Sequence, residues 1–282
     1  MDPNQKVIHS LIEKFVKRPS DEEKSVGFLR EALGLKAKEV ISLVGAGGKT
    51  TFMFRLAKEL FLSGKKVVTT TTTKILEPTS EETNSLFIHP DEKRIKDFIQ
   101  RHLHQDHHIT IALERLGSGK LKGISPSLVN ELWNFHGLDT IIVEADGAAG
   151  RSIKAPREGE PVIPTCTTLV VAILGVDSVG KELNGDHVFQ PERVSKMTGL
   201  AIGEKIGGDT LALLATHPEG LLKGIPFSSR VVVFLNKVDI PGGVEKGREI
   251  SLKIAKTGHQ RIERIVLGQL KKEPPVVEVI FP

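Results

Sequence analysis

The sequence has one cysteine, Cys166, one tryptophan and no tyrosine. A lone thiol excludes an intramolecular disulfide, and without a C-x-x-C pair or a Cys/His ligand spacing a zinc ribbon is excluded as well. With so few aromatics and no basic run among them, nucleic-acid binding is disfavoured. Neither charge sign dominates, since 39 Lys and Arg stand against 35 Asp and Glu for a formal net charge of +4. The two signs alternate along the chain instead of forming a basic stripe. No apolar run approaches the ~18 residues of a membrane span, and the first residues lack the apolar core of a leader. The expectation is a soluble, cytoplasmic protein with neither membrane nor nucleic acid as a partner. At 282 residues and 39% hydrophobic content, the chain has ample material for a well-filled core.

The most informative stretch is Val40-Ile41-Ser42-Leu43-Val44-Gly45-Ala46-Gly47-Gly48-Lys49-Thr50-Thr51. An apolar run suited to a buried strand leads into a glycine knot, and apolar residues at helical spacing follow from Phe52 to Leu60. Glycines let backbone N–H groups turn around an anion, the helix N-terminus adds its dipole, and a lysine reaches the terminal phosphates. Gly45, Ala46, Gly47, Gly48, Lys49, Thr50 and Thr51 are therefore expected to bind a nucleotide, with Thr50 also holding Mg²⁺. The spacing is G-x-x-G-K-T, shorter than the usual G-x-x-x-x-G-K-[ST], in which the first glycine would fall on Leu43. That shorter form is similar to the loop of Mur-type amide ligases, and its glycine crowding to metal-insertion GTPases.

Two further strand ends carry chemistry. Thr140 to Val143 is apolar and runs into Glu144-Ala145-Asp146-Gly147; carboxylates two residues apart on a continuing strand share a face and can address one cation and its attacking water. Glu144 and Asp146 are thus the expected catalytic and metal-binding carboxylates. Val231 to Leu235 is likewise apolar and ends in Asn236-Lys237-Val238-Asp239. This N-K-x-D pattern in GTPases places an aspartate against guanine N1 and N2, so Asn236, Lys237 and Asp239 are expected to bind the base, with Lys237 along its plane and Asn236 ordering the loop near Gly45. GTP is expected, with ATP as the alternative.

The remaining chain alternates strand and helix patterns. Residues 1–38 are expected to form a helical arm, with an apolar stripe at Val7, Ile8, Leu11, Ile12 and Phe15, a capping box at Ser20 to Glu23, and a stop at Gly34. Residues 39–282 are expected to form the nucleotide-binding domain. A second strand begins in the β-branched stretch Lys66 to Ile75, and of its five threonines Thr71 to Thr73, with Thr72 among the expected binding residues, are expected to leave the strand's carboxyl end beside the phosphates; β-propensity alone also explains the run. Asp91 to Leu103 reads as a helix. His102, His104, His107 and His108 are of a type that binds borderline metals, but a polar helix end accounts for them without one. Strand Ile109 to Leu113, a helix from Pro126 to about Phe135, strand Leu169 to Leu174, a helix opened by Pro191 and another capped by Asp209 follow. Helix Val244 to Lys256 and strands Ile262 to Leu267 and Val276 to Ile280 close the sequence. Between these, Arg151 and Lys154 lie in a loop rich in cations, proline and glycine, and are expected to neutralise phosphate charge.

Strands alternating with helices, each motif at a strand's carboxyl end, argue for a doubly wound, mainly parallel α/β sheet of P-loop NTPase type. The stretches at 44–51, the threonine run with Lys74, residues 143–156 and residues 234–239 resemble the YqeC family, and the resemblance spans about residues 28–280. It implies an accessory role in maturing selenium-dependent molybdenum hydroxylases or their cofactor, with such an enzyme or cofactor as partner. Three functions compete: a GTPase similar to nickel-insertion GTPases, an ATP-dependent Mur-like ligase or kinase, and a nucleotide-regulated binding module without turnover.

Overall fold

The computed structural model describes residues 27–282, so the sequence features at residues 1–26, including the apolar stripe and capping box of the arm, lie outside the described residues. Seven helices can be numbered along the described chain: α1 Leu29–Ala32, α2 Lys49–Leu62, α3 Glu92–Asp106, α4 Pro126–Leu132, α5 Pro191–Thr198, α6 Gly208–Thr216 and α7 Gly243–Lys256. The main sheet is built from β1 Glu39–Gly45, β2 Val67–Thr71, β4 Leu86–Ile88, β5 His108–Ala112, β8 Thr140–Glu144, β10 Leu169–Gly175, β12 Arg230–Asn236, β13 Ile262–Gly268 and β14 Val276–Ile280. Their order is β14-β13-β12-β10-β1-β8-β2-β5-β4, with every pairing parallel except that of β13 with β14. The fold is thus a doubly wound, mainly parallel α/β sheet of P-loop NTPase type.

Strands buried on both faces need continuous apolar sequence, which is why β1 and β10 are buried at every position. Alternate residues serve opposite faces. Ile41, Leu43, Val171 and Ile173 pack with α2, whose Phe52 meets the ring of Phe234 edge-on at 4.9 Å. Val170, Ala172 and Leu174 face the other way and pack against α6 and α7, while Ile141 and Val143 pack on that side against α3 and α4. Truncating Phe234 would open a cavity under α2, at a cost of about 3–5 kcal/mol.

The path of the chain positions the site. From β1 it winds out through β2, β4 and β5, returns to β8 beside β1, then crosses to β10 on the other side and winds away through β12 and β13. The carboxyl end of β1 therefore lies where the strand order reverses, the crevice in which open α/β sheets bind ligands. β1, β2, β8, β10 and β12 are parallel, so the residues that follow each of them converge there.

Several sequence expectations need correction. The strand that opens near Lys66 ends at Thr71, where the later threonines leave it, but Lys74–Leu76 (β3) joins Lys120–Lys122 (β7) and Glu114–Leu116 (β6) in a small antiparallel sheet that the sequence did not suggest. Gly123 passes so close to this point that a Cβ on it would come within 2.0 Å of the Thr71 carbonyl oxygen, so no side chain fits there. In the described part of the arm, only Leu29–Ala32 is helical before Gly34 turns left-handed. Asp209 does not cap α6: Gly207 is the N-cap residue and makes no side-chain cap, while Asp209 pairs with Lys253 on α7. The helix begun by Pro126 ends at Leu132, short of Phe135. Asp91, by contrast, caps α3 through the Lys93 amide, and Ser125 caps α4 through the Leu128 amide. Two short parallel strands, β9 Ile153–Lys154 and β11 Val188–Phe189, are too brief to show a sequence pattern of their own.

Candidate functional site

The loop between β1 and α2 bends through three left-handed glycines, Gly45 (φ 93°), Gly47 (φ 88°) and Gly48 (φ 134°). At Gly47 a side chain is excluded by sterics as well as by φ: a Cβ would lie 2.7 Å from the Gly175 nitrogen and 2.8 Å from the Ser152 carbonyl oxygen. The first part of the loop is tied to the protein, with the Gly45 amide donating to Asp146 Oδ2, Ala46 to the Ile173 carbonyl and Gly47 to the Arg151 carbonyl. The amides of Gly48, Lys49, Thr50 and Thr51 have no acceptor among the described residues, and Gly48 as N-cap supplies no side chain to them. Four free N–H groups at the positive end of a fourteen-residue helix form an anion cradle.

Beneath the cradle is a network of buried charge. Lys49 is 4% exposed, and its Nζ donates to the Gly45 carbonyl at 2.7 Å while standing 3.1 Å from Asp146 Oδ1 and 3.7 Å from Glu144 Oε1. Burial works against its ammonium, but Asp146 and Glu144 outweigh burial and hold its pKa above the ordinary lysine value. Asp146 Oδ2 is also 3.1 Å from Lys154, which is fully buried and donates to Glu160 Oε2 and the Gly147 carbonyl, each at 2.7 Å. Arg157 closes the chain onto Glu160 Oε1 at 2.7 Å. Burial alone would raise the Glu160 pKa, yet hydrogen bonds from Arg157 and Lys154 bring it down to about 2. Asp146 Oδ1 makes no hydrogen bond, because the nearby lysine approaches it out of line. It is an under-satisfied acceptor inside a set of three cations and three carboxylates.

Glu144 ends β8 directly beside Leu43 of β1 and Thr71 of β2. Its Oε2 accepts a hydrogen bond from the Thr50 hydroxyl at 2.7 Å, and burial pushes its pKa up despite Lys49. A hydroxyl and a carboxylate at this distance, beside a phosphate cradle, are hard oxygen donors of the kind Mg²⁺ takes together with substrate phosphates. The residues present therefore fit such an ion.

The third motif closes the loop from the other side. Asn236 Nδ2 donates to the Gly47 carbonyl at 2.7 Å and its Oδ1 accepts from the Leu270 amide at 3.1 Å, so one side chain ties β12 to the cradle and to the segment after β13. A Cβ on Gly48 would meet Asn236 Nδ2 at 2.6 Å, a second reason for glycine there. Asp239 is exposed. Lys237 Nζ donates to Ser152 Oγ at 2.8 Å and to Asp177 Oδ2 at 3.0 Å.

The expected site residues thus gather at one edge of the sheet, though not all with a free group. The Thr72 hydroxyl donates to the Val162 carbonyl and that of Thr71 to the Glu144 carbonyl, so both bind the segments around the site. The charge of Lys154 is already matched by Asp146 and Glu160, whereas Arg151 is half-exposed next to Gly47. Glu160, Ser152 and Asp177 join the site without having been expected there; their partners lie three to eighty-five positions away. The four histidines do not converge: His102 stacks on Phe98, His104 pairs with Lys66, and His108 is buried against Thr69, where burial lowers its pKa to about 4. Among the described residues no cluster of histidine, cysteine and carboxylate suits a metal, and no helix is long and apolar enough to cross a membrane.

A central parallel strand, a glycine cradle at the N-terminus of the next helix, and a lysine set between strand-end carboxylates define a P-loop nucleotide-binding protein. The family model described as "YqeC protein" matches residues 41–192. Over 243 residues the chain is 30% identical to the "Uncharacterized protein YqeC" of Escherichia coli (strain K12), covering 86% of this chain and 91% of that one. The chain belongs to the YqeC family. Among solved structures it is similar to FtsY from Mycoplasma mycoides (TM-score 0.37, 13% identity, covering 98% of this chain and 78% of that one). It is also similar to the signal recognition particle receptor FtsY from Elizabethkingia anophelis (TM-score 0.37, 14% identity, covering 99% and 78%). At such scores neither likeness bears on function.

Proposed function

We propose that residues 39–282 act as one nucleotide-binding domain that takes a Mg²⁺–nucleoside triphosphate at residues 45–51 and hydrolyses it, with GTP preferred to ATP. The observation that carries this reading is the pairing of four free amides, Gly48 to Thr51, with a lysine held next to Glu144 and Asp146. In this scheme the amides receive the β- and γ-phosphate oxygens, and Lys49 turns from Asp146 to the arriving phosphate. Asp146 keeps its bonds to Lys154 and the Gly45 amide, so its charge stays matched after Lys49 leaves. Thr50 and Glu144 would hold Mg²⁺, which supplies neutralisation of the charge that develops on the transferred phosphoryl group. Glu144 orients the attacking water, whose oxygen bonds to the γ-phosphorus as the bond to the β-phosphate oxygen breaks.

Base preference rests on the N-K-x-D turn. Asp239 is exposed beyond β12, free to accept from guanine N1–H and N2–H₂, while Asn236 fixes that turn to the cradle. Adenine lacks that donor pair, and leaving the carboxylate without partners on binding disfavours ATP by about tenfold or more. We further propose a cytoplasmic accessory role in maturing selenium-dependent molybdenum hydroxylases or their cofactor, the role that the resemblance noted in the sequence implies. Binding and product analysis with GTP and ATP, repeated on Asp239→Asn with xanthosine triphosphate, tests the scheme. GTP should win in the native protein and xanthosine triphosphate in the variant. Equal binding of ATP and GTP, unaltered by Asp239→Asn, would overturn the base assignment and bring forward an ATP-dependent ligase or kinase, the reading to which the short G-x-x-G-K-T loop lends support. Binding without product would favour a nucleotide-regulated module.

A further inference from the structure

Lys237 sits in a left-handed turn, φ 67°, although it is not a glycine. Such a conformation persists where the surroundings hold it, and it recurs at ligand-binding sites. The holder here is a three-part lock. Lys237 Nζ donates to Ser152 Oγ at 2.8 Å and to Asp177 Oδ2 at 3.0 Å, and Ser152 Oγ donates to the same carboxylate oxygen at 3.0 Å. The three residues come from the end of β12, the turn after β10 and the segment after β8.

The lock also touches the back of the phosphate loop. The Ser152 carbonyl accepts the Gly175 amide at 2.8 Å, and both residues press on Gly47, where no Cβ would fit. Asp177 Oδ1 is buried without a hydrogen bond, lying against Gly175, whose own Cβ would meet it at 2.6 Å. A carboxylate with one oxygen unpartnered and the other shared by a lysine and a serine is kept for its charge on Lys237, since a neutral acceptor would serve Ser152 equally well.

We propose that Asp177 is a positioning residue: through Lys237 and Ser152 it sets the turn at residues 236–239 relative to the phosphate loop, and so governs which base is accepted more than how tightly phosphate is held. This rests on the reading that Asp239 recognises the base.

The test uses the full-length protein with Mg²⁺ and three probes, GTP, ATP and inorganic tripolyphosphate, measured by calorimetry. Asp177→Asn should reduce the GTP-to-ATP affinity ratio by about fivefold while leaving tripolyphosphate affinity within about twofold. Asp177→Asn combined with Lys237→Ala should lose no more discrimination than Lys237→Ala alone, because both changes open one lock. Should Asp177→Asn not fold, Ser152→Ala is read by the same ratio. An unchanged ratio, or a fall in tripolyphosphate affinity in step with GTP, would overturn the assignment and leave Asp177 a packing residue. If the native protein itself fails to distinguish GTP from ATP, the base reading falls and takes the lock's role with it; if it distinguishes them and Asp177→Asn does too, the lock's role alone falls.

Discussion

Lys49 Nζ stands 3.1 Å from Asp146 Oδ1, so the cation of the phosphate loop is neutralised by the protein before any ligand arrives. The loop is self-complementary in this state, and an incoming phosphate must compete with a carboxylate for the same ammonium.

Lys49→Ala should abolish nucleotide binding and also weaken the fold. The side chain is buried between two carboxylates, and removing it leaves Glu144 with no cation and Asp146 with Lys154 alone. A loss of about 3 kcal/mol in apo stability is expected, measured by denaturant unfolding. A Lys49→Ala, Asp146→Ala double variant should recover part of that stability and none of the binding. Full stability in the single variant would mean that the buried charges are matched in another way.

Thr50→Ala and Glu144→Gln should separate metal from phosphate. Thr50→Ala is expected to weaken Mg²⁺-dependent binding more than Mg²⁺-free binding, and Glu144→Gln to lower turnover about a hundredfold while sparing affinity. Burial raises the Glu144 pKa, and the ion needs the carboxylate, so activity should rise with pH through a value above the ordinary carboxylate range. The sign for stability is opposite. A carboxyl whose folded pKa is raised favours the fold at low pH, and that contribution fades as pH climbs from the ordinary value through the raised one. A Glu144→Gln variant with the same pH profile as the native protein would count against this role.

Glu160 has the reverse linkage. Its pKa is lowered from about 4.5 to about 2 by Arg157 and Lys154, against the pull of burial. Its stabilising contribution is complete above about 4.5 and is lost as pH falls towards about 2. Acid unfolding followed by circular dichroism should show a step in that window, flattened in Glu160→Gln. Superimposable curves would show that the pairs with Lys154 and Arg157 are energetically idle.

Asn236→Ala should lower affinity for GTP, ATP and tripolyphosphate alike, because it frees both the Gly47 carbonyl and the Leu270 amide. About tenfold is expected from two buried hydrogen bonds whose partners are partly re-solvated. A loss confined to GTP would place Asn236 at the base instead of at the loop.

The sheet was legible because its central strands β1, β8, β10 and β12 carry long apolar runs, and β14 begins and ends where the sequence pattern does. The cradle can be read for a similar reason: Gly45, Gly47, Gly48 and Lys49 act within one turn of chain. Strands of three residues such as β6 and β7 carry no period long enough to register, so the small antiparallel sheet leaves no signature. Lys154 and Lys237 stand out as cations near an anion site, but their carboxylate partners do not. Glu160 lies in an irregular loop with no period, and Asp177 comes from a different crossover than Lys237, so only the folded sheet brings each pair together.

The strand order has a consequence for how the protein is made. β1 emerges early, yet its neighbours on either side are β8 and β10, which pair Glu39 with Thr140 and Ile41 with Leu169. The phosphate loop is also propped by Ser152, Gly175 and Asn236, all supplied after β8. A nascent chain halted before residue 236 would carry the whole glycine loop and no working cradle. Nucleotide capture on the ribosome would therefore report completion of most of the sheet, with the slow closure expected of long-range parallel pairing.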